Sequence, residues 1–284
     1  VSPRRWRSAR RSVPEKPVLT PTESVLEPDP GLAGGEEVSR LRLGVADYLT
    51  LGNALCGFLA VWALALAQAG HMASGAEGAL TRTAVATAGS LLLIASALDV
   101  LDGKVARRLG GSGMGAELDN LADVVSFGFA PAFFVVTWGA LSSGSEVLPI
   151  VVGGAVLLAV IVRLARFSQQ VPGSAYFTGL PSPFAAMAVV TVVLLDPPVY
   201  TGLAAVLLIS WLMVSRMEYP KPRGRKVYVV LAVIAVSVAL LSVWALGLPA
   251  GDVLIYFMCT MMLLFIVTVP CYVLTTRRKS VERD

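Results

Sequence analysis

The chain has 284 residues, 56% of them hydrophobic and only 15% charged, with mean hydropathy +0.73 and formal net charge +4. A soluble globular domain runs at about 45–50% apolar, so this balance excludes one, and apolar runs without polar alternation exclude a transmembrane β-barrel. The basic residues cluster between apolar runs, where topology and anionic headgroups place them, so the net charge does not indicate a nucleic-acid partner.

Residues 1–40 are rich in Pro, Gly, Arg and Glu with little periodicity, which reads as a disordered basic cytoplasmic tail. RRWRSARR resembles a basic n-region, but the first long apolar run begins only near Tyr48, too far away for a signal peptide. From there the apolar runs are long enough to cross a bilayer, which takes roughly 20 helical residues. They predict an all-α polytopic transmembrane bundle of eight helices, over 48–69, 82–109, 118–141, 147–169, 182–196, 199–215, 226–247 and 251–274. The fifth and sixth are short, with LDPPVY between them as a tight external turn. With the N-terminus inside and the helices alternating, all of the 23 Lys and Arg residues except Arg82 fall on the cytoplasmic side. Both termini are then cytoplasmic, in a multi-pass protein of the cytoplasmic (inner) cell membrane.

Cys56, Cys259 and Cys271 all lie in apolar runs, at spacings that fit neither a zinc site nor a disulfide framework. The single histidine, His71, sits in a short polar loop, so catalysis built on a Ser/His or Cys/His pair is discounted.

One stretch breaks the apolar pattern. ALDVLDGKVARRLGGSGMGAELDNLADVVSFG, Ala97 to Gly128, carries Asp99, Asp102, Asp119 and Asp123. Asp99 and Asp102 are three apart and Asp119 and Asp123 four apart, so each pair shares a helix face. LGGSGMG between them permits a sharp turn, and two antiparallel helices then bring the two pairs together near the cytoplasmic surface. Four close carboxylates repel unless protons or cations intervene. Oxygen-rich sites suit hard divalent cations such as Mg²⁺, Mn²⁺ or Ca²⁺, and a pair of such ions suits displacement at phosphorus. Asp119 and Asp123 are expected in the first turn of helix three, where the helix dipole favours negative charge. Arg107 could hold a phosphate oxygen, and Gly103 would let a ligand approach the backbone. A solvated loop, with the aspartates paired to Lys104, Arg107 and Arg108, is the plainer alternative. Ionisable residues at membrane depth more often serve function.

The pattern Asp99-x2-Asp102-Gly103-x2-Ala106-Arg107-x7-Gly115-x3-Asp119-x3-Asp123 resembles the signature of the CDP-alcohol phosphotransferases. The resemblance implies a six-helix catalytic core over 41–216, two additional transmembrane helices over 217–274, and a cytoplasmic tail over 275–284. It implies two divalent cations, Mg²⁺ or Mn²⁺, held by Asp99, Asp102, Asp119 and Asp123, with Asp123 also the general base. It further implies contact with CDP-diacylglycerol by Gly103, Ala106, Arg107 and Gly115, and homodimerisation.

Three further stretches, with LTLGN ending at Asn53, resemble the membrane-integral phosphatidylserine synthases within that family. These are Ser126-Phe-Gly-Phe-Ala-Pro131, Arg163-Leu-Ala-Arg166-Phe167 and Phe177-Thr-Gly-Leu-Pro181-Ser-Pro183. That branch passes the phosphatidyl group of CDP-diacylglycerol to L-serine and releases CMP. Serine brings a carboxylate, so its pocket needs a cation, and Arg163 and Arg166, with Ser126, are the serine-binding candidates. Asn53, polar in an apolar helix, either contacts cytosine or ribose, the preferred reading, or bridges to a neighbouring helix. Plainer readings make Gly128 and Pro131 a kink and the arginines topology signals. The alternatives are another acceptor alcohol, such as glycerol-3-phosphate or an inositol compound, and a cation transporter. A transporter would spread its acids along a path at mid-bilayer depth.

Overall fold

The computed structural model describes residues 43–75, 80–143, 145–169, 176–220 and 226–281. The tail expected over 1–40 lies outside these. Among the described residues the chain forms eight helices and a short two-stranded ribbon. They are α1 (Val45–Ser74), α2 (Arg82–Leu109), α3 (Gly115–Ser143), α4 (Val147–Ser168), β1 (Tyr176–Thr178), α5 (Ser182–Leu195), α6 (Val199–Val214), β2 (Glu218–Pro220), α7 (Lys226–Ala245) and α8 (Gly251–Val281). Five of the helices are long and apolar enough to cross a membrane. This is the helical transmembrane bundle that the sequence predicts, and the protein is a multi-pass membrane protein.

The ends of α2 follow from local chemistry. The Thr81 hydroxyl accepts the Ala84 N–H at 3.4 Å and caps the start. Gly110, at φ +85°, stops the helix in a conformation that side-chain-bearing residues rarely adopt. The turn is shorter than the glycines suggest. Gly115 N–H already bonds the Ser112 carbonyl and Leu118 N–H the Met114 carbonyl, so α3 begins at Gly115. Glu117 is the acid of its first turn. Asp119 and Asp123 therefore sit in later turns, and the expectation of helix-dipole support for them is corrected.

Within α3, Val124–Phe129 forms a π-helical segment. Pro131 has no N–H to offer the Phe127 carbonyl, and the Ala130 N–H bonds Val125 instead, one residue further back than in an α-helix. VVSFGF is thus a widened turn, where the sequence suggested a kink.

α1 packs along α2 and also against α3, so it touches both helices that carry aspartates. Its close approach to the π segment depends on Gly57, where a Cβ would stand 2.6 Å from the Ser126 Cα. α5 and α6 have 14 and 16 residues. At 1.5 Å per residue they reach about 21–24 Å, short of the roughly 30 Å hydrocarbon core. α5 is buried along nearly its whole length, against α3, α6 and α8. β1 and β2 pair antiparallel with Phe177 opposite Tyr219, a ribbon the hydropathy pattern does not reveal. α7 packs on α2, and α8 on α5 and α7. α8 continues to Val281, beyond the expected end at 274, because TTRRKSV contains neither glycine nor proline to break it.

Candidate active site

Carboxylate oxygens of Asp99, Asp102 and Asp119 lie within 4.8 Å of one another, each residue offering one. Asp102 is buried, and Asp99 and Asp119 are partly so. Asp123, one turn beyond Asp119, is buried and within Coulombic reach of Asp99, Asp119 and Arg163. Two carboxylates are oriented by α1. The Thr50 hydroxyl donates to Asp102 Oδ2 at 2.7 Å, and Asn53 Nδ2 donates to Asp123 Oδ1 at 3.2 Å.

The solvated-loop alternative required ion pairs with Lys104, Arg107 and Arg108. Among the described residues the aspartates form none, and the ion pair present is Arg82–Asp252, at the far end of α2. Lys104 instead places its ammonium 3.6 Å from the centre of the Tyr228 ring on α7. Arg107 is exposed and folds back over Gly103, its guanidinium 3.4 Å from where a Cβ there would stand.

Beside the aspartates opens a cavity of about 170 Å³. Asp102 and Asp119 line it, together with Gly103, Ala106 and Gly115 from the sequence pattern. Asp47 and Thr50 of α1 line it too, and sequence reasoning assigned neither to the site. Thr50 lies in LTLGN, but its partner is 52 residues away. Asp47 reads from sequence as an ordinary helix-start acid, and it does accept the Gly44 N–H at 2.7 Å.

The remaining candidates divide. Arg163 is buried at the end of α4, donates to the Ser182 hydroxyl, and is within Coulombic reach of Asp99 and Asp123. Arg166 is exposed and donates to the Val214 carbonyl at 2.7 Å, closing the C-terminus of α6. Ser126 is fully buried and donates to the Asn53 carbonyl at 2.8 Å, a contact between α1 and α3. Asn53 is also fully buried and bridges to Asp123. Its Oδ1 is buried and accepts no hydrogen bond among the described residues.

Charge is expensive in such surroundings unless compensated. Asp119 Oδ1 is buried and accepts no hydrogen bond. Three carboxylates with an orphaned oxygen, none of them ion-paired to a cation among the described residues, form a hard all-oxygen donor set that fits divalent cations.

The model of the CDP-alcohol phosphatidyltransferase family matches residues 43–215 of this chain. Those residues span α1 to α6 and hold every group described above except Tyr228 and Asp252. The chain is 32% identical over 188 residues to the archaetidylserine synthase of Methanothermobacter thermautotrophicus, covering 64% of this chain and 72% of the relative. It is 29% identical over 201 residues to the CDP-diacylglycerol–serine O-phosphatidyltransferase of Methanocaldococcus jannaschii, covering 70% and 84%. To the protein of the same name in Bacillus subtilis it is 30% identical over 179 residues, covering 61% and 87%.

Proposed function

Because this chain belongs to the CDP-alcohol phosphatidyltransferase family, we propose that it transfers the phosphatidyl group of CDP-diacylglycerol to the hydroxyl of L-serine, releasing CMP. The observation that carries the reading is the cluster of Asp99, Asp102 and Asp119, two of which line a cavity walled largely by glycine and alanine, with Asp123 and Arg163 close by. Displacement at phosphorus needs the attacking and leaving oxygens roughly in line, and carboxylates gathered beside a cavity can hold the cations that position both.

Asp99, Asp102 and Asp119, with Asp123 beside them, would hold two divalent cations, Mg²⁺ or Mn²⁺. When bound, such ions neutralise pyrophosphate charge and stabilise the leaving group. The chain's own groups do the rest. Gly103, Ala106 and Gly115 leave room for the nucleotide along the cavity wall, and Arg107 pairs with a phosphate oxygen. Arg163, held by Ser182, binds the serine carboxylate. Asp123, oriented by Asn53, takes the hydroxyl proton as the serine oxygen bonds to the β-phosphorus and the bond to CMP breaks. Most of the rate comes from placing the reactants and stabilising charge. The protein works as a homodimer in the cytoplasmic membrane with both termini inside.

The test is CMP release by purified protein given CDP-diacylglycerol and each alcohol in turn. Release with serine alone is expected, and Arg163→Ala should raise KM for serine by at least about tenfold. Release only with glycerol-3-phosphate or an inositol compound overturns the choice of serine.

A further inference from the structure

Lys104 and Arg108 lie four residues apart near the C-terminus of α2, so they share one helix face. The Lys104 ammonium stands 3.6 Å from the centre of the Tyr228 ring, and the Arg108 guanidinium is within Coulombic reach of the same phenol. Like charges at this spacing repel, and among the described residues neither is ion-paired to a carboxylate. Tyr228 is 56% exposed, so its ring partners Lys104 while the cluster stays open to the outside. The phosphotransfer chemistry gives neither cation a task, and Tyr228 stands on α7, beyond the residues matched by the family.

Depth identifies the surroundings of the cluster. α2 has 28 residues, about 42 Å at 1.5 Å per residue. That exceeds the roughly 30 Å hydrocarbon core and carries its ends into the headgroup layers. Tyr228 is the second residue of the apolar span Val227–Ala245, the level at which tyrosine rings sit at a membrane interface. Two cations without a counter-ion therefore lie at headgroup depth. A leaflet offers phosphate there; a zwitterionic headgroup carries its own cation, whereas an anionic one leaves net charge to be matched. We propose that Lys104, Arg108 and Tyr228 form a seat for an anionic phospholipid headgroup, which joins α7 to the helix carrying Asp99 and Asp102. The two cations hold phosphate oxygens by charge-assisted hydrogen bonds, and the ring keeps the Lys104 ammonium at the seam between the helices.

The test is thermal unfolding of the full chain in a neutral detergent doped with phosphatidylglycerol or with phosphatidylcholine, a readout that does not depend on turnover. The wild type should melt higher with phosphatidylglycerol. Arg108→Gln, at an exposed position, should keep the wild-type melting temperature in phosphatidylcholine and need roughly fivefold more phosphatidylglycerol for half of the rise. The double variant K104Q/R108Q should need roughly 30-fold more. Tyr228→Leu should weaken the response too, because Lys104 loses its ring. Arg82→Gln, at the opposite end of α2, should leave the response intact. A wild type that responds equally to both lipids overturns the proposal, as does a full response in K104Q/R108Q. An undiminished response in Tyr228→Leu removes α7 from the seat. An equal rise with inorganic phosphate assigns the cluster to a soluble anion, and loss of the response in Arg82→Gln marks a general charge effect; either result overturns the lipid seat.

Discussion

Asp102 and Asp123 each depend on an α1 side chain. Thr50 holds the first at 2.7 Å and Asn53 the second at 3.2 Å. Groups that orient ligating carboxylates typically contribute 10–100-fold in metal affinity or activity. Thr50→Val keeps the shape and removes the hydroxyl. It should raise the Mg²⁺ or Mn²⁺ concentration for half-maximal activity by about 10–100-fold, measured by cation titration of CMP release; an unchanged midpoint would remove Thr50 from the account. Asn53→Ala should lower kcat by roughly tenfold or more, with a smaller change in KM for serine, because the lost bond positions the proposed base and not the acceptor. The aspartates were legible because their spacing is local, at three and four residues on a helix face. The partners were not, since Thr50 and Asp102 are 52 residues apart and Asn53 and Asp123 are 70. Hydropathy fixes which helices exist, not which of their polar residues meet.

At the scale of elements, the contact of α1 with the π segment of α3 determines where Asn53 meets Asp123. Gly57 is one turn beyond Asn53, and a Cβ there would press on Ser126 backbone at 2.6 Å. Gly57→Ala should therefore cost about 1–3 kcal/mol of stability, seen as a lower melting temperature in detergent, and should reduce activity as Asn53 shifts. At Gly154 on α4 a Cβ would meet nothing within 4 Å, so Gly154→Ala should be neutral or slightly stabilising in the same assay. Equal effects of the two substitutions would contradict the packing argument. Element boundaries were readable wherever capping residues mark them, as at Thr81 and Gly110. The π turn was not, because VVSFGF reads as ordinary apolar helix and its widening comes from what Pro131 cannot donate. The β1–β2 ribbon escaped for a similar reason, since three-residue strands leave no period to detect.

Across the whole molecule, apolar runs and basic clusters were the strongest signals in the sequence, and the eight helices follow them. α7 and α8 lie beyond the residues matched by the family, yet α7 packs on α2, the helix carrying Asp99 and Asp102. Arg82, Trp244 and Asp252 join the far ends of α2, α7 and α8. The exposed Arg82–Asp252 pair is too solvated to contribute much stability. Orientation is a separate proposal resting on the positive-inside pattern. In a chain whose three native cysteines are replaced, a single cysteine at Leu109 should be labelled from the cytoplasm and one at Leu248 from the opposite side, both positions being exposed. Labelling of both from the same side would contradict the topology. The central claim concerns chemistry at the aspartates, and one measurement reaches it most directly: CMP release coupled to phosphatidylserine formation by purified protein, compared with Asp123→Asn. The account predicts matched amounts of the two products with the wild type, none after removal of divalent cations, and a loss of about 10²–10⁴-fold in the variant. Full activity in Asp123→Asn, or CMP release without phosphatidylserine, would contradict it.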